Sequence, residues 1–480
     1  MFRLKQLGKD TLIYGIGGIL AKSVSFFLLP IYTRIFTPAD YGTIEMLTVI
    51  SSFLSAIMVM GMDSAQSMYF FKFKKNGKIA QAKIVSAILQ WRLLWGVCIV
   101  LLATLIAPIL NAWFFLGKLS LEYFAIAFVG ALLIQIMNQS AEVMRLLYRP
   151  WGFIGITLSQ SVLSAILILS FVILLDQGIL GFFLGTGIAS VAMAIIGWLR
   201  IRDYWQFKEI HFNLWSQLIR FGAPLMPAGM AIYFISTADR WFIQYYHGPE
   251  SLGVYAIGAK FVILLTLVVE TFRKAWWPIA MDSMHSKDGP ETFRTIARLY
   301  MGLATSGIVL LTAFSPFLVR WLTAPAFHDA WPIVGVLAWQ AVFYGFFLIA
   351  TAGIWKTEKM YLNLYLMGGA VIISLFLNWV LVPVYGSMGA AISTSLTYFL
   401  LLVVSMILSE KLWKINISII ILGFQILLGS IFVAWFVYGD NASNPSLVIW
   451  IAFLVASILL MSSIQFSKIK SLIIFLKAKK

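Results

Sequence analysis

The sequence predicts an all-α, polytopic membrane protein with about fourteen transmembrane helices. Of the 480 side chains 61% are hydrophobic and only 11% are charged, and the mean hydropathy is +0.92. An ordinary soluble domain carries about 25% charged residues, and soluble chains divide into separate domains beyond roughly 250 to 300 residues. Most of the surface of this chain must therefore face lipid.

Apolar segments long enough to cross a bilayer, which takes about 17 to 25 residues, follow one another along the whole chain. Their predicted ranges are 11–36, 42–71, 84–111, 120–147, 152–175, 179–201, 213–238, 252–280, 293–322, 330–356, 360–384, 388–409, 416–438 and 447–467. The first segment is longer than the apolar part of a signal peptide, so we expect it to remain as the first helix.

Positively charged residues are concentrated in alternate loops. One set of loops and termini holds about 24 Lys and Arg residues, whereas the opposite set holds 4. Because positive loops stay on the cytoplasmic side, both termini are predicted to be cytoplasmic and the helix count even. The net charge of +16 is scattered between apolar segments, which argues against a continuous nucleic-acid-binding face.

Two pairs of short matching segments indicate an internal duplication. Segments 38–42 and 249–253 each begin with proline and end with glycine, and segments 178–181 and 386–389 each begin and end with glycine. The two offsets, 211 and 208 residues, span six helices, which predicts two parallel repeats. The alternative is that Pro and Gly simply recur at turns. The predicted organisation is an N-terminal six-helix lobe, a C-terminal six-helix lobe, and two further helices with a basic tail, at residues 1–208, 209–410 and 411–480.

Several charged residues fall inside the apolar spans, where they usually face a wet cavity. Lys22 stands near the middle of the first span, and Lys260 and Arg273 fall on the same side of the eighth. These cations predict an anionic ligand that carries phosphate or carboxylate. Glu270 is spaced to neutralise Arg273, whereas Arg92 is expected to reach the headgroups.

No sequence pattern for covalent or metal chemistry is present. The four His residues fall in separate loops, and neither Cys-x-x-Cys nor Walker A spacing occurs. We therefore expect no metal and no cofactor, and an enzyme is disfavoured because the predicted extracytoplasmic loops are short. The single cysteine, Cys98, permits no intrachain disulfide.

Motifs spread over residues 12–391 resemble those of the Wzx-type polysaccharide flippases, a family within the multidrug/oligosaccharidyl-lipid/polysaccharide exporter superfamily. The similar segments are LIYG at 12–15, LLPIYTR at 28–34, PADYG at 38–42, GMDSA at 61–65, RFGAPLMP at 220–227, DRWFI at 239–243, GVYA at 253–256, FRKAWWP at 272–278 and PVYGSMGAA at 383–391. One departure is Met68, near which the family pattern would place a basic residue.

The resemblance implies two pseudo-symmetric six-helix lobes around a central cavity lined by helices one, two, seven and eight, with two extra C-terminal helices. It also implies a monomeric flippase of the bacterial inner membrane. The implied substrate is an undecaprenyl-diphosphate-linked oligosaccharide, carried to the outer leaflet by alternating access for O-antigen, capsule or exopolysaccharide synthesis. A polysaccharide polymerase and a chain-length regulator are the expected partners.

The candidate site residues follow from the charges and from this resemblance. Those assigned to the anionic substrate are Lys22, Lys260, Arg273 and Arg34; those assigned to ion coupling or charge pairing are Glu270, Asp63 and Glu45; and those able to stack on sugars are Trp276 and Trp277. Tryptophan at helix ends is also a common interfacial anchor. The alternative functions are an ion-coupled multidrug or small-solute exporter of the same superfamily, and a membrane polymerase.

Overall fold

The computed structural model describes residues 17–205, 212–439 and 445–463, apart from Ile19 and Lys22, and within these ranges the chain is helical without β-strands. Ten stretches of the described chain are long and apolar enough to cross a membrane. Three of them contain 78, 56 and 52 residues, far more than the roughly 20 that one crossing needs. The prediction of an all-α, polytopic membrane protein is confirmed.

The helices of the described chain are numbered here in order. The first eight are α1 (Leu29–Ile35), α2 (Pro38–Val59), α3 (Met62–Lys72), α4 (Gly77–Phe115), α5 (Leu121–Leu146), α6 (Pro150–Leu169), α7 (Gly178–Arg200) and α8 (Phe212–Gly222). The remaining seven are α9 (Met226–Met284), α10 (Gly289–Leu322), α11 (Trp331–Ala350), α12 (Ala352–Lys356), α13 (Tyr361–Leu412), α14 (Ile419–Tyr438) and α15 (Pro445–Ser463).

The start of α2 is specified by its local sequence. The Thr37 side chain accepts a hydrogen bond from the Asp40 backbone N–H at 3.2 Å, and the Asp40 carboxylate accepts one from the Thr37 N–H at 3.1 Å. This reciprocal pair satisfies two N–H groups that a helix start would otherwise leave unbonded. Pro38 occupies the first turn, where its missing N–H costs nothing.

Both pairs of matching segments mark helix boundaries. Gly248, with φ of 76°, breaks α9 just before Pro249, and Pro38 begins α2. Gly178 and Gly386 have φ values of 50° and 55°, a region that glycine adopts at no steric cost. The matching residues therefore recur at matching structural positions.

The chain divides into two compact units, Met1–Gly253 and Val254–Lys480. In the first unit α8 packs on α3 and α4, and the Trp215 indole N–H donates to the Ala87 carbonyl at 2.9 Å. The division falls later than residue 208 because α8 and the first half of α9 pack against the preceding helices. Lobes bounded at residues 208 and 410 stay a prediction.

In the second unit, α10 contacts α11, α14 and α15. The hydroxyl of Ser306 on α10 donates to the Ala456 carbonyl of α15 at 3.2 Å. Val309, Phe436 and Leu459 belong to one buried apolar cluster of α10, α14 and α15. The two helices after residue 411 are thus packed parts of this unit.

Candidate functional site

Arg92 of α4 is buried in the first unit, with 1% of its side chain exposed. Its Nη2 pairs with the Asp63 carboxylate of α3, and its Nη1 donates to the Gln135 carbonyl of α5 at 2.9 Å. A buried guanidinium is stable only with a counter-charge and hydrogen-bond acceptors. The expectation that Arg92 reaches the headgroups is therefore wrong, because its partners hold it inside the helix bundle.

A second charged cluster joins α2 to α9. Arg240 donates from Nε to the Glu45 carboxylate at 2.8 Å and from Nη1 to the Asp239 carboxylate at 3.0 Å. Only 2% of Asp239 is exposed, and Glu45 and Arg240 are largely buried. Two carboxylates thus contact one guanidinium.

Helix α2 and the middle of α9 cross at two glycines that come from the matching sequence segments. A Cβ added to Gly42 would lie 1.7 Å from the Pro249 carbonyl oxygen, and one added to Gly253 would lie 1.9 Å from the Pro38 carbonyl oxygen. Real Cβ atoms do not come closer than 3.0 Å to other atoms. The backbones can approach this closely only because both residues lack a side chain.

Contacts continue along α2 away from this crossing. The Tyr233 hydroxyl donates to the Val49 carbonyl, and the ring of Phe53 lies 5.5 Å from that of Phe234, centroid to centroid. At the break between α2 and α3, a Cβ on Gly61 would meet the Gly222 carbonyl oxygen at 2.1 Å. Within the first unit, α2 is therefore held against α8 and α9 at both of its ends.

The residues predicted to bind the substrate lie in different surroundings. Lys22 lies outside the described residues. Arg34 is exposed, and its Nη1 donates to the Pro30 carbonyl of its own helix at 2.6 Å. Lys260 is half-buried and, among the described residues, has no carboxylate within ion-pairing distance. Arg273 is paired with Glu270 at 2.5 Å, as its spacing suggested.

The two candidate sugar-stacking tryptophans differ in exposure. Trp276 is 3% exposed, and its ring packs against Phe293 at a centroid distance of 4.9 Å. The Trp276 ring is thus enclosed in this conformation, and stacking of a sugar on it stays a prediction. Trp277 is half-buried against Trp355 at 4.8 Å, so stacking there stays a prediction.

A cavity of about 490 Å³ lies inside the first unit, among helices α1, α2, α5, α6 and α7. Twenty of the described residues line it, of which eleven are polar and none is Asp, Glu, Lys, Arg or His. Its polar lining residues are Ser25, Tyr32, Thr48, Ser51, Ser52, Ser55, Gln135, Gln160, Ser161, Ser164 and Thr186.

Charged residues in the sequence do not mark this cavity, but its hydroxyl residues do. Thr48, Ser51, Ser52 and Ser55 recur at intervals of three, one and three residues, which places them on one face of a helix. A stripe of hydroxyl residues along one face of an otherwise apolar span predicts that this face packs inward or lines a cavity, because lipid offers no hydrogen bonds.

Residues 7–284 match the family described as polysaccharide biosynthesis protein. The chain is also 20% identical over 288 residues to Lsg locus putative protein 1 of Haemophilus influenzae. That alignment covers 58% of this chain and 67% of the relative. The family match spans more than half of the sequence and includes the cavity and both charged clusters.

Solved structures share the fold across most of the chain. An inward closed conformation of the lipid II flippase MurJ has a TM-score of 0.70 at 14% identity, covering 93% of this chain and 98% of that one. An inward-facing multidrug resistance MATE family transporter of the MOP superfamily has a TM-score of 0.63 at 12% identity, covering 83% and 96%. At these identities the likeness is one of fold.

Proposed function

Because the chain belongs to the polysaccharide biosynthesis protein family, we propose that it is a flippase for an undecaprenyl-diphosphate-linked oligosaccharide. It carries this lipid from the cytoplasmic to the outer leaflet of the bacterial inner membrane, for surface polysaccharide synthesis. The observation that carries the proposal is the family match over residues 7–284 of a multi-pass helical chain with a transporter fold. The positive loops favour cytoplasmic termini.

In this proposal the crossing of α2 and α9 at Gly42 and Gly253 is a gate. Alternating access requires a contact that is tight in one state and parted in another. Backbone contact through two glycines suits this role, since no interlocked side chains have to be withdrawn. The charge bias assigns this end of α2 to the extracytoplasmic side.

The diphosphate is proposed to meet the cationic residues, foremost Lys260. A half-buried ammonium without a carboxylate partner is costly in a membrane unless water or an anionic ligand solvates it. Arg273 is proposed to exchange its partner Glu270 for the diphosphate when substrate binds. Lys22 and Arg34 are also proposed to bind the anionic substrate. The protein is further proposed to be a monomer that acts with a polysaccharide polymerase and a chain-length regulator.

A second candidate is an ion-coupled exporter of drugs or small solutes. The observation that favours it is the largely buried cluster in which Glu45 and Asp239 both pair with Arg240, together with Asp63, which is 47% exposed although its partner Arg92 is buried. Such carboxylates could carry protons or cations. Loss of drug resistance in Glu45→Gln, with normal surface glycan, would support this second function.

The test is complementation of a host in which the gene has been deleted. We expect the wild-type chain to restore surface polysaccharide and Lys260→Ala to reduce it, while lipid-linked repeat units accumulate on the cytoplasmic leaflet. Lys260→Arg should retain function, and Lys287→Ala, on an exposed loop, is the matched control. Unchanged surface glycan in the deletion strain would refute the flippase proposal.

A further inference from the structure

The hydroxyl-lined cavity of the first unit has its own binding chemistry, separate from the charged clusters. Its volume of about 490 Å³ falls in the range of roughly 300 to 1,000 Å³ that small-molecule sites occupy. Ser25 and Ser52 on its rim are exposed. The cavity is therefore large enough for a small ligand and is open at the face formed by α2 and the residues before α1.

Hydroxyls of the lining are oriented to accept hydrogen bonds. Thr48 donates to the Ile44 carbonyl at 2.7 Å, and Thr186 donates to the Phe182 carbonyl at 2.9 Å. Each of these hydroxyls uses its one O–H donor within its own helix, and its oxygen lone pairs remain as acceptors. The lining thus offers acceptors to a ligand that brings O–H or N–H donors.

Ser51 supplies a second, independent observation. The residue lines the cavity and is 8% exposed, and its Oγ is buried with no hydrogen-bond partner among the described residues. Buried hydroxyls are almost always bonded, because an unmet one costs about 1–3 kcal/mol. Rotation of this side chain toward the cavity would let a water or a ligand there supply the missing partner.

Aromatic rings line another part of the cavity. Tyr32, Phe182 and Phe183 contribute to the lining, and the rings of Tyr32 and Phe182 meet edge to face at 6.1 Å. Apolar ring surface beside hydroxyl and amide groups matches a sugar, which presents C–H faces and a rim of hydroxyls. Gln160, with its Nε2 3.1 Å from Ser164 Oγ, adds an amide to the lining.

The composition of the lining excludes other ligand classes. A diphosphate or an acidic sugar would need a cation, and a cationic drug would need a carboxylate, yet neither stands among the described residues that line the cavity. An isoprenoid tail would bring no donors to the acceptor lone pairs of these polar side chains. We infer that this cavity binds a neutral sugar residue of the transported glycan, an inference that rests on the proposed function and assigns it a site for the uncharged part of the substrate.

The test compares two identical substitutions on α6. Ser161 lines the cavity, whereas Ser159, two residues away, is exposed and does not. Ser161→Leu fills the site and removes a hydroxyl, and Ser159→Leu adds the same bulk outside it. The probe is the repeat-unit oligosaccharide of the host, released from its lipid diphosphate by mild acid, with binding to the purified full chain measured by calorimetry.

We expect the wild type and Ser159→Leu to bind the free oligosaccharide alike and Ser161→Leu to bind it at least about tenfold more weakly. Undecaprenyl phosphate binding should be equal in all three. Equal oligosaccharide binding by Ser161→Leu and wild type, or no binding by wild type, would overturn the inference. Binding of either ligand requires folded protein, so a folding defect in Ser161→Leu would appear as loss of both oligosaccharide and undecaprenyl phosphate binding. In that case Ser51→Ala repeats the test.

Wild-type complementation separates the two proposals. If the wild-type chain restores surface glycan but does not bind the free oligosaccharide, the flippase proposal stands and the sugar site is refuted. If the wild-type chain restores no surface glycan, the proposed function itself is refuted.

Discussion

Replacing Gly42 with alanine should force apart the crossing of α2 and α9. The new Cβ would lie 1.7 Å from the Pro249 carbonyl oxygen, and ordinary contact begins at 3.4 Å, so the backbones must separate by about 1.7 Å. Neither partner is a flexible side chain, so the strain cannot be relieved by a rotamer change. Overpacking of this kind costs about 1–3 kcal/mol, which shifts a two-state equilibrium by about 5- to 150-fold.

The assay is disulfide cross-linking between cysteines placed at Ala39 and Glu250, beside the crossing, in a Cys98→Ser background. We expect Gly42→Ala to slow cross-linking at least about fivefold, and Gly253→Ala to do the same, since its Cβ would lie 1.9 Å from the Pro38 oxygen.

The matched control for this prediction is Gly187→Ala, because a Cβ at that buried helical glycine meets nothing within 4 Å. The Gly187→Ala chain should cross-link at the same rate as the double-cysteine chain that carries no glycine substitution. A Gly42→Ala chain that cross-links at the parental rate would refute the reasoning, because the helices would then have accommodated the methyl group without parting.

Three further outcomes are expected. Asp63→Ala should lower the free energy of unfolding by about 3–5 kcal/mol, because it removes the carboxylate that pairs with the buried Arg92 guanidinium. Adding Arg92→Met should recover much of this loss. Thermal unfolding of Asp63→Ala in detergent at the wild-type temperature would contradict the prediction. Thr37→Ala should cost about 1 kcal/mol by removing the helix cap, measured in the same way. The hydrogen bond and charge of Lys78 lower the pKa of Asp203, so the ion pair persists above that lowered pKa and is lost as the pH falls through it. Lys78→Ala should therefore raise the pKa of Asp203, measured by NMR titration of the carboxyl group. An unchanged pKa would contradict the pairing.

Assignments of charged residues from the sequence had mixed outcomes. Glu270 and Arg273, three residues apart, pair as their spacing on one helix predicted. Arg92 was expected at the headgroups but is buried, because its partner Asp63 lies 29 residues away on another helix. The spacing of two charged residues on one helix predicts whether they can pair, whereas pairing between two helices depends on how those helices pack.

The sequence by itself determined that the chain is a multi-pass helical membrane protein, because lipid requires apolar side chains and internally bonded backbone. It also marked helix starts through caps, and matching segments through Pro and Gly. Only the tertiary structure decided that Gly42 meets Pro249, that Arg240 meets Glu45 across 195 residues, and that hydroxyls of several helices share one cavity. The physical reason is that helices apolar on every side carry little information about which face packs inward, so rotation and crossing are set by the close fit of whole surfaces.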